Sequence, residues 1–211
     1  MIFQDRPQAG RVLASSLAKY ARQPDTIVLA LPRGGVPVAY EIGKELELPM
    51  DVFIVRKLGV PGHEELAMGA IASGGIRYIN EDVAIQLGID DQVIDAVSRR
   101  EEKEIERRER LYRGGRPPLD VKDKTVILVD DGLATGSTML AAIAALRQRG
   151  LKRIVVAVPA AAPETCARIA GEVDETVCAM TPEPFIAVGQ WYESFAQTTD
   201  DEVRDLLFRA A

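Results

Sequence analysis

Thr125–Val129, followed without a spacer by Asp130 and Asp131 and then by a loop of small residues, limits what this chain can become more than any other stretch. Thr-Val-Ile-Leu-Val has no polar alternation, so the strand it forms must be buried on both faces, as in a parallel sheet covered by helices. The two carboxylates then stand at the strand's carboxyl end, where open α/β sheets bind their ligands. Neighbouring carboxylates repel each other and are tolerated when solvated, or when a ligand rich in hydroxyls or a metal lies against them. Gly132, Gly136, Ser137 and Thr138 are small enough for backbone N–H groups to converge on an anion. The Ala- and Leu-rich residues 139–149 read as a helix whose positive N-terminus faces that loop.

An acidic pair beside an anion cradle suits a ligand with a sugar diol at one end and a phosphate at the other, and ribose 5-phosphate has that form. Residues 129–138, Val-Asp-Asp-Gly-Leu-Ala-Thr-Gly-Ser-Thr, resemble the 5-phosphoribosyl-1-pyrophosphate (PRPP) signature of type I phosphoribosyltransferases without a gap. No Gly-Lys-Ser/Thr ending marks a P-loop, and the G-x-G-x-x-G dinucleotide fingerprint is absent. The resemblance implies a PRPP-dependent transfer of ribose 5-phosphate to a nitrogen acceptor of the nucleobase class, with pyrophosphate released. It assigns the ribose hydroxyls to Asp130 and Asp131, which would also face Mg²⁺, and the 5′-phosphate to Gly132, Ala134, Thr135, Gly136, Ser137 and Thr138. The expected fold is three-layer α/β/α with a mostly parallel sheet, one antiparallel edge strand and a small hood built from terminal segments.

With 211 residues, 47% hydrophobic and 27% charged, the chain has the composition of one globular α/β domain, expected over residues 1–211 with a core of about 24–181. A formal charge of −6 argues against gripping nucleic acid as the main task. Cys166 and Cys178 form no C-x-x-C and are expected reduced and buried in a cytoplasmic protein. No apolar run reaches the length of a membrane span. The expected assembly is a homo-oligomer, a dimer.

Along the chain, residues 6–20 read as a helix capped by Asp5, ahead of a buried strand at 26–31. Arg33, Gly34 and Gly35 then turn into a helix at 36–46, a second place suited to an anion. In the resembled family that loop holds pyrophosphate. Residues 51–55 read as the second strand, ending in Arg56 and Lys57; orotate and adenine phosphoribosyltransferases carry an Arg-Lys pair there, which the resemblance also assigns to pyrophosphate. Residues 58–66 read as a mobile loop. No lysine follows Lys57 until Lys103, so a loop lysine of the orotate type is missing, and His63 or Glu64 is its candidate replacement as acid or base.

Ser73-Gly74-Gly75 marks a hairpin, Asn80 caps a short helix, and residues 90–113 form a long charged helix with pairs Glu104/Arg108, Glu106/Arg110 and Glu109/Arg113. A strand at 153–158, a helix from Pro163, a strand at 175–180 and a last helix with a Thr199-x-x-Glu202 capping box complete the pattern. The hood candidates are residues 1–23 and 182–211, where Trp191, Tyr192 or Phe195 is placed either to stack on a planar acceptor or to pack the tail onto the core. Two rivals stand beside the transferase: a PRPP-sensing regulator of the same fold, and a metal-dependent phosphate-ester hydrolase using the acidic pair. The hydrolase lacks the ligand set that such sites need.

Overall fold

The computed structural model describes residues 2–210, with Glu64 and Glu65 as backbone only. Its centre is a five-stranded parallel sheet in the order β2 (Met50–Val52), β1 (Thr26–Ala30), β6 (Thr125–Val129), β7 (Arg153–Ala160), β8 (Glu175–Met180). β6 pairs in parallel with β1 through Val28↔Ile127 and with β7 through Ile127↔Val155, so it is flanked on both sides. All five of its residues are buried, as an unbroken apolar run requires.

Strand alternation divides the core into two layers. Val28, Ala30, Ile127, Val129, Val155 and Ala157 face α1 (Arg6–Ser16), α2 (Gly35–Leu46), α4 (Asp91–Arg113) and α7 (Asp200–Arg209). Ile27, Leu29, Val126, Leu128, Ile154 and Val156 face α5 (Ser137–Arg147) and α6 (Pro163–Ala170). The fold is therefore three-layer α/β/α.

The antiparallel part expected at the sheet edge forms a three-stranded sheet of its own, in the order β3 (Val55–Val60), β4 (His63–Ala72), β5 (Ile76–Ile79). It continues from β2 across Phe53 and Ile54. There the Ile54 amide donates to Ser73 Oγ and the Ser73 amide returns to the Ile54 carbonyl. Residues 58–66, expected as a loop, belong mostly to the β3–β4 hairpin, turned at Pro61-Gly62. Gly and Pro punctuation marked the turn, but alternating burial at Leu58 and Val60 shows that the flanks pair as strands. After β5 comes the short α3 (Glu81–Gln86), capped by Asn80.

Local signals are obeyed closely elsewhere. Asp5 accepts from Gln8 N–H at the start of α1, Thr199 and Glu202 make both bonds of the capping box on α7, and all three ion pairs expected on α4 are present. The first helix is shorter than its apolar pattern suggested, ending at Ser16 before a 3-10 turn at Ala18–Tyr20. The two cysteines depart from expectation: Cys166 on α6 and Cys178 on β8 form a disulfide, neither being fully buried. Packing of α6 against β8 brings their Cα atoms to 6.8 Å, within reach of a bridge.

α4 is fastened to the sheet by a buried ion pair. Arg113 Nε reaches both oxygens of Asp51 at 3.0 Å and its NH2 donates to the Val52 carbonyl, while the amides of Val52 and Leu119 complete the carboxylate's shell. Removing one partner of such a pair strands a charge. Arg113→Met is expected to lower unfolding free energy by about 3–5 kcal/mol in urea titrations, with part of that recovered when Asp51→Asn is added.

Candidate active site

Asp130 and Asp131 leave the carboxyl end of β6 at the mouth of the sheet, between the turn that follows β1 and the loop that enters α5. Gly34 is needed there: a Cβ on it would lie 1.9 Å from Asp131 Oδ2, and one on Gly35 would lie 2.7 Å from the Val129 carbonyl. The Arg33-Gly34-Gly35 turn is thus packed directly on the acidic pair. Asp130 Oδ1 accepts the Asp131 amide at 2.8 Å. Asp131 Oδ2 accepts Arg6 through Nε and NH2, both at 2.8 Å. Among the described residues each carboxylate keeps a second oxygen, Asp130 Oδ2 and Asp131 Oδ1, with no protein partner.

The loop beyond them is a cradle held from outside. Leu133 is anchored by its amide on the Ala160 carbonyl and its own carbonyl on the Ala162 amide. Thr165 Oγ1 donates to the Ala134 carbonyl at 2.6 Å, and Arg168 donates to the Thr135 carbonyl. With the carbonyls engaged outward, the amides of Ala134, Thr135, Gly136, Ser137 and Thr138 donate to nothing among the described residues. Gly136 enters α5 at φ +70, where a side chain would also come 2.7 Å from Thr165 Cγ2. α5 begins at Ser137, two residues before the apolar run, so Ser137 and Thr138 occupy its exposed first turn at the positive end of the helix.

Residues from the two terminal segments named as hood candidates meet on Asp131. Phe3 bridges Tyr192, Tyr192 stacks on Phe195 at 4.9 Å, and the Arg6 guanidinium lies 3.9 Å over the Phe195 ring. Arg6 NH1 also donates to the Ala196 carbonyl at 2.7 Å, and Tyr192 OH donates to the Asp131 carbonyl at 2.6 Å. Tyr192 and Phe195 therefore use their rings in packing. Trp191 stacks on Phe185 at 6.1 Å, and its buried indole N–H has no partner among the described residues.

The cations named from sequence are not brought together. Arg33 belongs to the turn packed on the acidic pair, but its side chain reaches toward Asp200 on α7, at 3.7 Å. Arg56 and Lys57 sit inside β3 rather than at the end of a crevice strand, and as consecutive residues they point to opposite faces. Arg56 pairs with Glu101 on α4 at 2.8 Å. Lys57, exposed and unpaired among the described residues, lines a cavity of about 390 Å³ with Ser137 and Arg168. His63 is exposed beside the hairpin turn, and the side chain of Glu64 lies outside the described residues. A second groove of about 470 Å³ runs past Arg6 between α1, α2 and α7. Arg6, Thr165 and Arg168 were missed by sequence reasoning. Arg6 alone carried a signal, because a cation in the first turn of a helix opposes the helix dipole and implies a partner elsewhere.

Desolvation raises both acids of the pair. Asp130 rises well above the usual carboxylate range, from lost hydration first and the neighbouring Asp131 charge second. Asp131 is raised by its burial, against the pull of Arg6. Tyr192 is raised by burial and by the Asp131 charge, so it remains a donor.

Comparison with known proteins agrees with this geometry. The phosphoribosyl transferase domain model matches residues 62–188. A Mycobacterium tuberculosis protein, recorded in strains CDC 1551 and H37Rv and provisionally named a phosphoribosyl transferase, is 47% identical over 209 residues, covering 99% of this chain. The chain spans 47% of that relative's length. The crystal structure of TT1426 from Thermus thermophilus superposes with a TM-score of 0.89 at 39% identity, covering 100% of both chains. Uracil phosphoribosyltransferase of Lactobacillus gasseri is 33% identical over 136 residues, 62% of each sequence.

A carboxyl whose folded pKa exceeds its unfolded one holds its proton more tightly when folded. Its ionisation therefore costs stability, absent below the unfolded pKa and growing as pH rises toward the folded one. Asp130→Asn is accordingly expected to melt above the wild type at pH 8 without ligand, the gap closing as pH falls toward about 4, by differential scanning fluorimetry across pH.

Proposed function

The chain belongs to the type I phosphoribosyltransferase family, and from that premise we propose that it transfers ribose 5-phosphate from PRPP to a nitrogen acceptor of the nucleobase class and releases pyrophosphate. The observation that carries this reading is a pairing of unsatisfied groups within one segment. Two carboxylate oxygens lack partners at Asp130 and Asp131, and five amides lack acceptors from Ala134 to Thr138, among the described residues. A ribose offers two vicinal hydroxyls to the first, and a terminal phosphate offers oxygens to the second. Thr135, Ser137 and Thr138 add hydroxyls beside those amides. Residues 1–211 act as one unit in this reading, with the core at about 24–181 and the hood from 1–23 and 182–211.

As the bond from sugar C1 to pyrophosphate lengthens, positive charge grows on the sugar. Asp130 and Asp131, fixed in a poorly hydrated place, stabilise it without reorganising. Arg33, in the turn whose Gly34 and Gly35 are pressed on the acidic pair, is the candidate cation for the departing group. Arg56 would join only by leaving Glu101, and Lys57 only by swinging from its cavity. No cluster of three or more His, Cys, Asp or Glu residues forms a metal cage among the described residues, which suits an ion held by ligand phosphates and water with one or two carboxylates, here Asp130 and Asp131. Mg²⁺ bound in that way would neutralise charge on the pyrophosphate.

The dispersal of Arg33, Arg56 and Lys57 favours one alternative, a regulator of the same fold that binds PRPP without turning it over. Thermal shift with PRPP, with and without Mg²⁺, followed by pyrophosphate release over a base panel beginning with uracil, separates the two. At about 100 times its dissociation constant PRPP is expected to stabilise the fold by roughly 2.7 kcal/mol. Stabilisation without pyrophosphate release selects the regulator, and no stabilisation defeats both. In an active panel, Asp131→Asn is expected to lower turnover on the order of a hundredfold or more, whereas near-normal turnover would remove that residue from the mechanism.

A further inference from the structure

Asp131 is held by groups that lie far from it in sequence and belong to the hood. Arg6 places Nε and NH2 on the same oxygen, Oδ2, each at 2.8 Å, and leaves Oδ1 unengaged among the described residues. The guanidinium is itself immobilised: NH1 donates to the Ala196 carbonyl at 2.7 Å, the plane lies 3.9 Å over the Phe195 ring, and the side chain is only 10% exposed. Tyr192 fixes the backbone of the same residue through its carbonyl, at 2.6 Å. An aspartate's terminal torsion is broad and two-fold in ordinary surroundings, so a carboxylate without such a grip presents its oxygens in many directions. Here one oxygen is engaged, and the orientation of the other is fixed with it.

We propose that Arg6 is a positioning residue that sets the preference of this site for a ribose over a deoxyribose, by orienting Asp131 so that Oδ1 meets one hydroxyl of the diol. This rests on the reading that the acidic pair grips a pentose 5-phosphate. Both the charge and the planar fork are needed. The charge offsets what burial costs Asp131, and the fork is what two bonds to one oxygen, a third to a carbonyl and a ring contact together require. A lysine at position 6 would restore the first and not the second.

The experiment is calorimetric binding of ribose 5-phosphate, 2-deoxyribose 5-phosphate and 3-deoxyribose 5-phosphate to the full chain and to its Arg6→Lys and Arg6→Met variants. The wild type is expected to prefer the ribose ligand by on the order of tenfold or more over at least one deoxy ligand, the scale of a hydrogen bond to a charged group. In both variants that preference is expected to fall to about threefold or less while deoxy affinity changes little, a pattern that a general loss of packing would not give. Arg6→Lys keeps the charge pair, so it carries the test if Arg6→Met does not fold. A folded Arg6→Lys with the wild-type preference overturns the proposal while leaving the ligand reading intact. Tighter binding of all three sugars in the variants overturns it in another way, because Arg6 would then be a competitor for the diol. A wild type that binds PRPP but shows no preference among the sugars also overturns it, whereas one that binds neither PRPP nor any pentose phosphate overturns the reading beneath it as well.

Discussion

Asp130 and Asp131 emerge from a strand with no exposed residue, and the cost of keeping two charges there shapes everything around them. Neither is fully solvated, both are pushed toward the protonated form, and a single protein cation among the described residues, Arg6, touches the pair. Gly34 and Gly35 are glycine because any side chain would collide with that pair or with the strand beneath it. Tyr192 and Arg6 come from opposite ends of the chain and meet on one residue. Burial therefore disfavours the charge that the pair carries, and Arg6 offsets only part of that cost.

The loop that enters α5 follows a different logic. Its glycine and small residues free the amides, but Thr165 and Arg168 on α6 hold the loop open by engaging carbonyls from behind. The same helix is tied to β8 by the Cys166–Cys178 bridge, so the back of the cradle is fastened to the sheet at a second point. Preorganised donors are effective because they do not have to be turned toward the anion when it arrives.

Much of the site was legible because it is contiguous. A strand, an acidic pair and a small-residue loop follow one another in chain order, and the helix dipole at their end is a consequence of that order. The placement of the cations was not legible to the same degree. Arg56 and Lys57 are adjacent in sequence, yet strand alternation sends one to Glu101 and the other to the start of α5. Gly-Pro punctuation around residues 59–62 looked like a loop because the signal for a tight hairpin turn and for a longer connection is the same.

The amino-acid order by itself determined the buried strand, the helices with their caps and ion pairs, and the succession of acidic pair and small-residue loop, since each depends on residues a few positions apart. Only the tertiary structure decided which cation faces Asp131, which cations drift from the site, and that Cys166 meets Cys178. Those outcomes depend on how helices and hairpins pack across the sheet, a long-range geometry that no local periodicity encodes.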